Sequence, residues 1–189
     1  MTKPEPDVLS LIKNRHCCRK FLPFEVPDEH VEKILDAGRS SCSALNLQPI
    51  VFYACKDRNK TVELGRRIEK IGLEQMPDMF SVTPDCGQLE KIFYGAPLCI
   101  HFAVRKDGYF TRYIDCGIAV SSVLLVAESL GYSTCPVALG KLFGDQMVCE
   151  AFGIPEDQDY SLTVCIGQCS PEYIKADSDR RDDNIIIVE

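Results

Sequence analysis

Residues Arg112–Leu130 read RYIDCGIAVSSVLLVAESL and form a long, nearly all-apolar helical pattern. Helices that are apolar on every side are buried, so we expect this helix at the centre of the fold. Gly131 follows where a helix C-cap is expected. The most apolar part, Gly117–Ala127, is too short to span a bilayer and contains Ser121 and Ser122, so we predict no membrane association.

Outward from this helix, the patterns predict three strands and five more helices. Strands are predicted from alternation and from β-branched and aromatic residues, over Ile50–Cys55, Leu98–Arg105 and Tyr160–Gly167. Helices are predicted from apolar residues three and four apart, over Val8–Arg15, Asp28–Ser40 (capped by Asp28), Asn59–Leu73, Cys86–Tyr94 and Lys141–Phe152. The order lacks regular βαβ alternation, and neither GxGxxG nor a P-loop occurs, so we predict an α+β domain with a small sheet.

Three segments lie outside these elements. Met76–Asp85 carries two prolines and three large apolar side chains, which is typical either of a mobile lid or of an irregular loop docked on the core. Ser170–Asn184 is polar and charged, whereas Ile185–Val188 is apolar and β-prone. A monomer would have to cover such an end, and adding it to a partner's sheet is one solution.

The length and charge limit the possible functions. The 189 residues suffice for one sizeable domain, residues 1–189, and are awkward for two. The net charge of −7 argues against binding nucleic acid or anionic membranes through the whole surface. Any anion that the protein binds must therefore be held by a local basic pocket.

Eleven cysteines are present, and no CxxC occurs among them. Cys17 and Cys18 are adjacent, but the remaining spacing is not that of zinc or iron–sulfur ligands, so we predict no metal site. The opening residues Met1–Asp7 are polar and lack an apolar signal region. We therefore expect a cytoplasmic protein whose thiols are reduced and mostly serve as small core side chains.

Two polar groups and one glycine-bearing stretch are candidates for ligand binding. Arg15 and Arg19 are four residues apart and share a face on a helix or a strand. Planar guanidinium groups bind phosphate in a bidentate manner, although such a cluster is also typical of a solvated basic surface.

The hydroxyl and two carboxamides of Ser43, Asn46 and Gln48 suit a neutral heteroaromatic ring such as a flavin or a nucleobase. Asn and Gln are equally common as caps and turn formers, with Pro49 marking a turn. Gly131–Gly140 offers small residues and free backbone amides as a platform for a flat ring, or is an ordinary connection between helices.

In their order and spacing these stretches resemble the nitroreductase family of FMN-dependent oxidoreductases over nearly the whole chain. The family pattern RRSxRxF corresponds to RHCCRKF from Arg15 to Phe21, and PSxxNxQPW corresponds to CSALNLQPI from Cys42 to Ile50. Further similar parts are Tyr94–Pro97, Asp115–Gly131, Gly131–Gly140, Ile166–Gly167 and one of Arg180 and Arg181. The chain departs from the pattern where Cys17 replaces serine, Cys42 replaces proline, Ile50 replaces tryptophan and Gln168–Pro171 replaces Tyr-Pro.

The resemblance implies a three-layer fold, with a small mixed or antiparallel sheet flanked by helices, and an intertwined homodimer with two FMN sites. The stretch 170–189 would be a C-terminal extension packed on the partner subunit. Arg15, Cys17 and Arg19 would come from one subunit and Ser43, Asn46 and Gln48 from the other. The implied cofactor-binding residues are Arg15, His16, Cys17, Arg19, Ser43, Asn46, Gln48, Pro136, Val137, Ala138, Leu139, Arg180 and Arg181.

By the same resemblance, a hydride from NADH or NADPH would pass through flavin N5 to a nitroaromatic, a quinone or a related small acceptor, with no catalytic side chain. A backbone N–H near Val137 or Ala138 would donate to N5. Reductive dehalogenation and flavin cleavage are alternatives within the family, and a non-catalytic flavin carrier is one outside it. A redox sensor built on Cys17 and Cys18 is a further alternative.

Overall fold

The structure is a computed structural model that describes residues 7–81, 87–107, 109–173 and 185–188. Its four strands are β1 (Ile50–Cys55), β2 (Leu98–Arg105), β3 (Ser133–Val137) and β4 (Gln158–Gly167). Its helices are α1 (Val8–Asn14), α2 (Asp28–Arg39), α3 (Arg58–Gln75), α4 (Pro77–Ser81), α5 (Arg112–Ser129) and α6 (Leu139–Phe152), with a 3-10 turn over Ala44–Asn46. The strand order is β1-β2-β4-β3, and every pair of neighbouring strands is antiparallel.

The sheet lies between two layers of helices. Alternate residues of β2 point to opposite faces, so Ile100 and Phe102 pack with α2 and α5 while Cys99 and Ala103 pack with α3 and α6. Because β2 lies between β1 and β4 and both faces are covered, it is buried from Leu98 to Val104. The prediction of an α+β fold with a small sheet flanked by helices is confirmed, and the sheet itself is antiparallel.

β3 is a strand that the sequence patterns did not predict. Within Gly131–Gly140, interpreted above as a loop, Ser133–Val137 pairs with β4. Pro136 cannot donate a ladder hydrogen bond, and proline is confined to edge strands, which is where β3 lies. Its outer edge is met at one point by a parallel bridge between Cys17 and Thr134.

The predicted helix over Cys86–Tyr94 is wrong for residues 87–94, which contain no helix; Cys86 lies outside the described residues. The buried carboxylate of Glu90 accepts hydrogen bonds from the backbone N–H groups of Ile92, Phe93 and Gly95 at 2.7–2.8 Å. A side chain that takes up backbone donors in this way replaces the helical hydrogen-bond pattern.

Smaller differences concern helix ends and exposure. Pro27 is the N-cap of α2, while Asp28 is the first helical residue and its carboxylate pairs with Lys56. In the described part of Met76–Asp85, Phe80 of α4 is buried, so this part is docked on the core. Residues Ile185–Val188 form no strand in this single chain and are exposed.

The helix predicted at the centre of the fold, α5, covers the sheet with one face only. Val120 and Val123 are buried, whereas Ile114 is 64% exposed. Among the described residues, no helix is long and apolar enough to cross a membrane. No group of three or more His, Cys, Asp or Glu side chains in the described ranges is arranged to hold a metal ion.

Candidate functional site

The segment after α1 is laid along the outer edge of β3. Arg15 is the C-cap of α1, and the chain then runs extended, with the Cys18 N–H donating to the Thr134 carbonyl at 3.0 Å. Further along, Phe21 pairs with Cys169 in an antiparallel bridge. This segment therefore has fixed neighbours on both sides, which gives the side chains that it carries defined positions.

Two guanidinium groups of this segment are half-buried. Arg19 Nη1 donates to the Tyr173 hydroxyl at 3.5 Å, and that hydroxyl donates to the Cys17 carbonyl at 2.7 Å. His16 stacks on the Tyr173 ring at 6.4 Å between centroids. Neither Arg15 nor Arg19 forms an ion pair with a carboxylate of the described residues. Two cations without carboxylate partners on one fixed segment are suited to binding an anion such as a phosphate group.

Cys17 lies between these arginines, and it is the thiol of this segment whose pKa is lowered, whereas burial raises the pKa of Cys18. A hydrogen bond from Cys135 is the main cause, and together with the charges of Arg15 and Arg19 it lowers the pKa of Cys17 to about 5. Arg15 Nη1 lies 3.9 Å from the Cys17 sulfur. At neutral pH this sulfur is therefore a thiolate, which is the nucleophilic form of cysteine.

The polar loop Ser43–Gln48 is strained and exposed. Leu45, Asn46 and Gln48 all have φ between 47° and 55°, a region that side-chain-bearing residues rarely adopt. Such strain costs on the order of 1–3 kcal/mol per residue and is concentrated at functional sites. The Gln48 N–H donates to Ser43 Oγ at 3.0 Å, and the Gln48 carboxamide donates to Asn46 Oδ1 at 3.2 Å.

A buried carboxylate of α5 fixes the start of this loop. Asp115 Oδ1 accepts the Ala44 N–H at 3.2 Å, and Asp115 is almost fully buried. Between the loop, the end of α2 and β1 lies a cavity of about 100 Å³. Ligand pockets measure roughly 300–1,000 Å³, so a single chain does not enclose a flavin-sized site here.

The structure separates the predicted residues into three places. Arg15, His16, Cys17 and Arg19 lie together beside β3, and no described hydrogen bond or ion pair joins them to Ser43, Asn46 or Gln48. Pro136 and Val137 belong to β3. Of the free backbone N–H groups expected in this stretch, those of Ala138 and Leu139 at the start of α6 therefore remain. Arg180 and Arg181 lie outside the described residues.

Several residues of the site escaped sequence reasoning. Tyr94 and Tyr173 both contact the Arg19 guanidinium, and the Thr134 hydroxyl next to Cys17 is buried without a described partner. Tyr173 lies in a polar stretch without periodicity, so no local signal marks it. Asp115 did carry a signal, since it is a carboxylate within an otherwise apolar helix.

Comparisons with known proteins agree on one family. Residues 12–168 match the family model described as Nitroreductase family. A curated protein of Methanothermobacter thermautotrophicus, named "Putative NADH dehydrogenase/NAD(P)H nitroreductase", is 32% identical over 126 residues, which cover 66% of this chain and 57% of that protein. The match therefore spans less than two thirds of the length of that relative.

Two solved structures share the fold over nearly their whole length. A nitroreductase with bound FMN from Desulfitobacterium hafniense is 25% identical, with a TM-score of 0.78 and coverage of 96% of this chain and 98% of that one. A nitroreductase with bound FMN from Bacteroides fragilis is 23% identical, with a TM-score of 0.80 and coverage of 97% and 100%. The second likeness shows the fold alone.

Proposed function

Because this chain belongs to the nitroreductase family, we propose that it is an FMN-dependent oxidoreductase that carries hydride from NADH or NADPH to a small acceptor, such as a nitroaromatic or a quinone. When bound, FMN supplies the redox chemistry, while the protein supplies binding, orientation and charge. The observation that carries the proposal is the pair of half-buried guanidiniums, Arg15 and Arg19, without carboxylate partners among the described residues.

The segment beside β3 is proposed to hold the phosphorylated part of FMN. Arg15, His16 and Arg19 offer N–H donors there, and a guanidinium can bind two phosphate oxygens at once. Tyr173 holds Arg19 in place from the C-terminal side. One of Arg180 and Arg181 is proposed as an additional phosphate ligand.

The uncharged loop is proposed to orient the isoalloxazine ring and the ribityl chain. The groups of Ser43, Asn46 and Gln48 match the mixed donor and acceptor edge of a flavin without adding charge. Backbone N–H groups at Ala138 and Leu139 open α6, and the positive end of its dipole favours negative charge next to them. Pro136 and Val137 of β3 are proposed to lie under the ring.

A homodimer is proposed because apolar side chains of α1, α5 and the polar loop are exposed in the single chain. Val8, Leu9 and Ile12 of α1, Ile114 and Ile118 of α5, and Leu45 and Leu47 of the loop are all exposed. An exposed apolar area of this kind marks an interaction site. A Cβ added at Gly117 on α5 would meet no atom within 4 Å, so a second helix can approach closely there.

The described C-terminal residues divide into two parts, and only the second is proposed to reach the partner. Residues 170–173 pack on the N-terminal segment of their own chain, through Ser170 and Tyr173. Ile185–Val188 is 79–87% exposed and is proposed to pack on the partner, as the end of an extension of one domain, residues 1–189. The ten described cysteines form no disulfide, and we propose a cytoplasmic location, where thiols stay reduced.

Anaerobic reduction of the purified protein tests the proposed function. With FMN bound, addition of NADH or NADPH should bleach the visible flavin absorbance. A quinone or nitroaromatic should then restore the absorbance at a rate no slower than steady-state turnover. Bleaching that is no faster than for free FMN would favour the flavin carrier and overturn the enzyme. A protein that stays colourless with added FMN would overturn the flavin site itself.

A further inference from the structure

Cys18 and Cys169 bring their sulfurs together from distant parts of the chain. Their Sγ atoms are 2.7 Å apart although the residues are separated by 151 positions. Cys18 is fully buried, and Cys169 is half-buried. A disulfide bond is about 2.05 Å long, so the sulfurs would have to approach by about 0.7 Å to form one.

The backbone holds these two sulfurs in register. The Leu22 N–H donates to the Gln168 carbonyl at 2.9 Å, and the Ser170 N–H donates to the Lys20 carbonyl at 2.8 Å. These bonds flank the bridge between Phe21 and Cys169. The approach of the sulfurs is thus set by two paired segments.

We propose that Cys18 and Cys169 are an oxidisable thiol pair, whose disulfide fastens the arginine-bearing N-terminal segment to the segment that follows β4. The oxidant is a low-molecular-weight disulfide such as oxidised glutathione. The sulfur of Cys169, the more exposed of the two, attacks one glutathione sulfur and breaks the glutathione disulfide, and the glutathione thiolate that leaves takes up the Cys169 proton. The sulfur of Cys18 then attacks Cys169, and the second glutathione leaves with the Cys18 proton.

The order of these steps follows from exposure. Burial raises the pKa of Cys18, so its thiolate is scarce and it is suited to the second, intramolecular step. Over both steps the two cysteines lose two electrons and two protons, and one glutathione disulfide becomes two thiols. The product joins residues far apart in sequence, which restricts the unfolded chain and raises the melting temperature.

Oxidation also acts on the proposed cofactor site, and this part rests on the proposed function. Cys18 directly precedes Arg19. Cys169 lies four residues before Tyr173, whose hydroxyl accepts a hydrogen bond from the Arg19 guanidinium. A bond between the two segments fixes the Arg19 guanidinium against its support. We therefore expect FMN to dissociate several-fold more slowly from the oxidised protein.

Peptide mapping after equilibration in glutathione buffers of rising oxidised fraction tests the pair directly. Thiols are trapped with an alkylating reagent, and the digest is analysed by mass spectrometry. We expect a Cys18–Cys169 linked peptide that accumulates with the oxidised fraction, disappears with dithiothreitol and accompanies a melting temperature higher by several degrees. Cys169→Ser should lose the peptide and the shift, whereas the control Cys55→Ser, on β1, should keep both.

Peptide mapping of the wild-type protein alone tests whether the Cys18–Cys169 disulfide forms, and it requires no bound flavin. Cys18 and Cys169 found only as thiols or as separate glutathione adducts would overturn the pair, as would a Cys17–Cys135 link formed in its place. A Cys18–Cys169 disulfide with unchanged FMN dissociation would overturn the coupling to the cofactor site.

Discussion

Cys17 shows how single residues around the candidate site depend on one another. Its sulfur lies between the guanidinium groups of Arg15 and Arg19 and the buried thiol of Cys135, and all three favour the thiolate form. The family pattern has serine at this position, a group that stays neutral. A negative sulfur here partly offsets the positive charge that the segment offers to a phosphate.

Alkylation of the flavin-free protein tests this charge state. Because the pKa of Cys17 is lowered to about 5, its thiolate persists as pH falls from neutral and is lost only around that value. We expect iodoacetamide to modify Cys17 at a rate that halves near that pH, as followed by mass spectrometry. Free N-acetylcysteine in the same buffers serves as the control, and its rate should halve near the ordinary thiol value of about 8.5. Equal profiles for the two thiols would contradict the assignment.

The sequence motifs predicted part of the candidate site. Arg15, Arg19 and the Ser43–Gln48 loop were predicted from residue types and spacing, and the structure places the arginines together on one segment. Tyr94 and Tyr173 were not predicted, because their contact with Arg19 joins segments about 75 and 154 positions away in sequence. Long-range partners of this kind carry no local periodicity.

The conformation of the segment before β2 depends on the carboxyl group of Glu90, which accepts three backbone hydrogen bonds. Glu90 is buried, and burial is the main cause that raises its pKa to about 7, against three backbone hydrogen bonds that act in the opposite direction. The folded protein thus holds a proton that the unfolded chain releases. The contribution of Glu90 to the free energy of unfolding therefore falls as pH rises from about 4.5 to about 7.

Replacing Glu90 with Gln should remove this pH dependence, since an amide does not ionise. The amide also has one accepting oxygen in place of two, which leaves at least one backbone N–H unsatisfied, at a cost of about 1–3 kcal/mol. Urea unfolding of both proteins across this pH range measures how the free energy of unfolding changes with pH and how much of it the substitution removes. Glu63→Gln, on the exposed side of α3, should keep the original slope. A Glu90→Gln protein with the slope of the wild type would show that another group titrates.

Element prediction succeeded where the local pattern and the tertiary structure agree. β1, β2 and β4 combine β-prone residues or alternation with a place in the sheet, and α5 was predicted to within one residue. β3 failed because it is short and contains Pro136, and its partner β4 lies far along the chain. The helix predicted over Cys86–Tyr94 failed because a side chain takes the backbone donors that a helix would use.

At the level of the whole molecule, the single chain leaves an apolar helix face exposed. α5 was expected to be buried, and the structure leaves one of its faces apolar and exposed, beside the exposed residues of α1 and of the polar loop. A second copy that covers this face would bury the apolar side chains of α5 that are exposed in the single chain. It would also supply the walls that the small cavity at the loop lacks.

A charge on this face should separate the subunits. We expect the wild type to sediment as a dimer and Ile118→Lys to sediment as a monomer at micromolar concentration, since burying an unpaired ammonium group in an apolar interface is costly. Leu142→Lys, at an apolar and more exposed position on α6, should remain dimeric. An Ile118→Lys protein that stays dimeric would place the interface elsewhere.

Each FMN site is proposed to take its arginines from one chain and its carboxamides from the other. Two inactive variants test it: one chain carries Arg15→Gln and Arg19→Gln, and the other carries Asn46→Gly and Gln48→Gly, where glycine tolerates the positive φ. Neither homodimer should bind FMN. After the two proteins are mixed and their subunits exchanged, each heterodimer should hold one intact site, which restores about one quarter of the wild-type FMN content. No recovery of bound FMN in verified heterodimers would show that both groups act within one chain and would overturn the site shared between subunits.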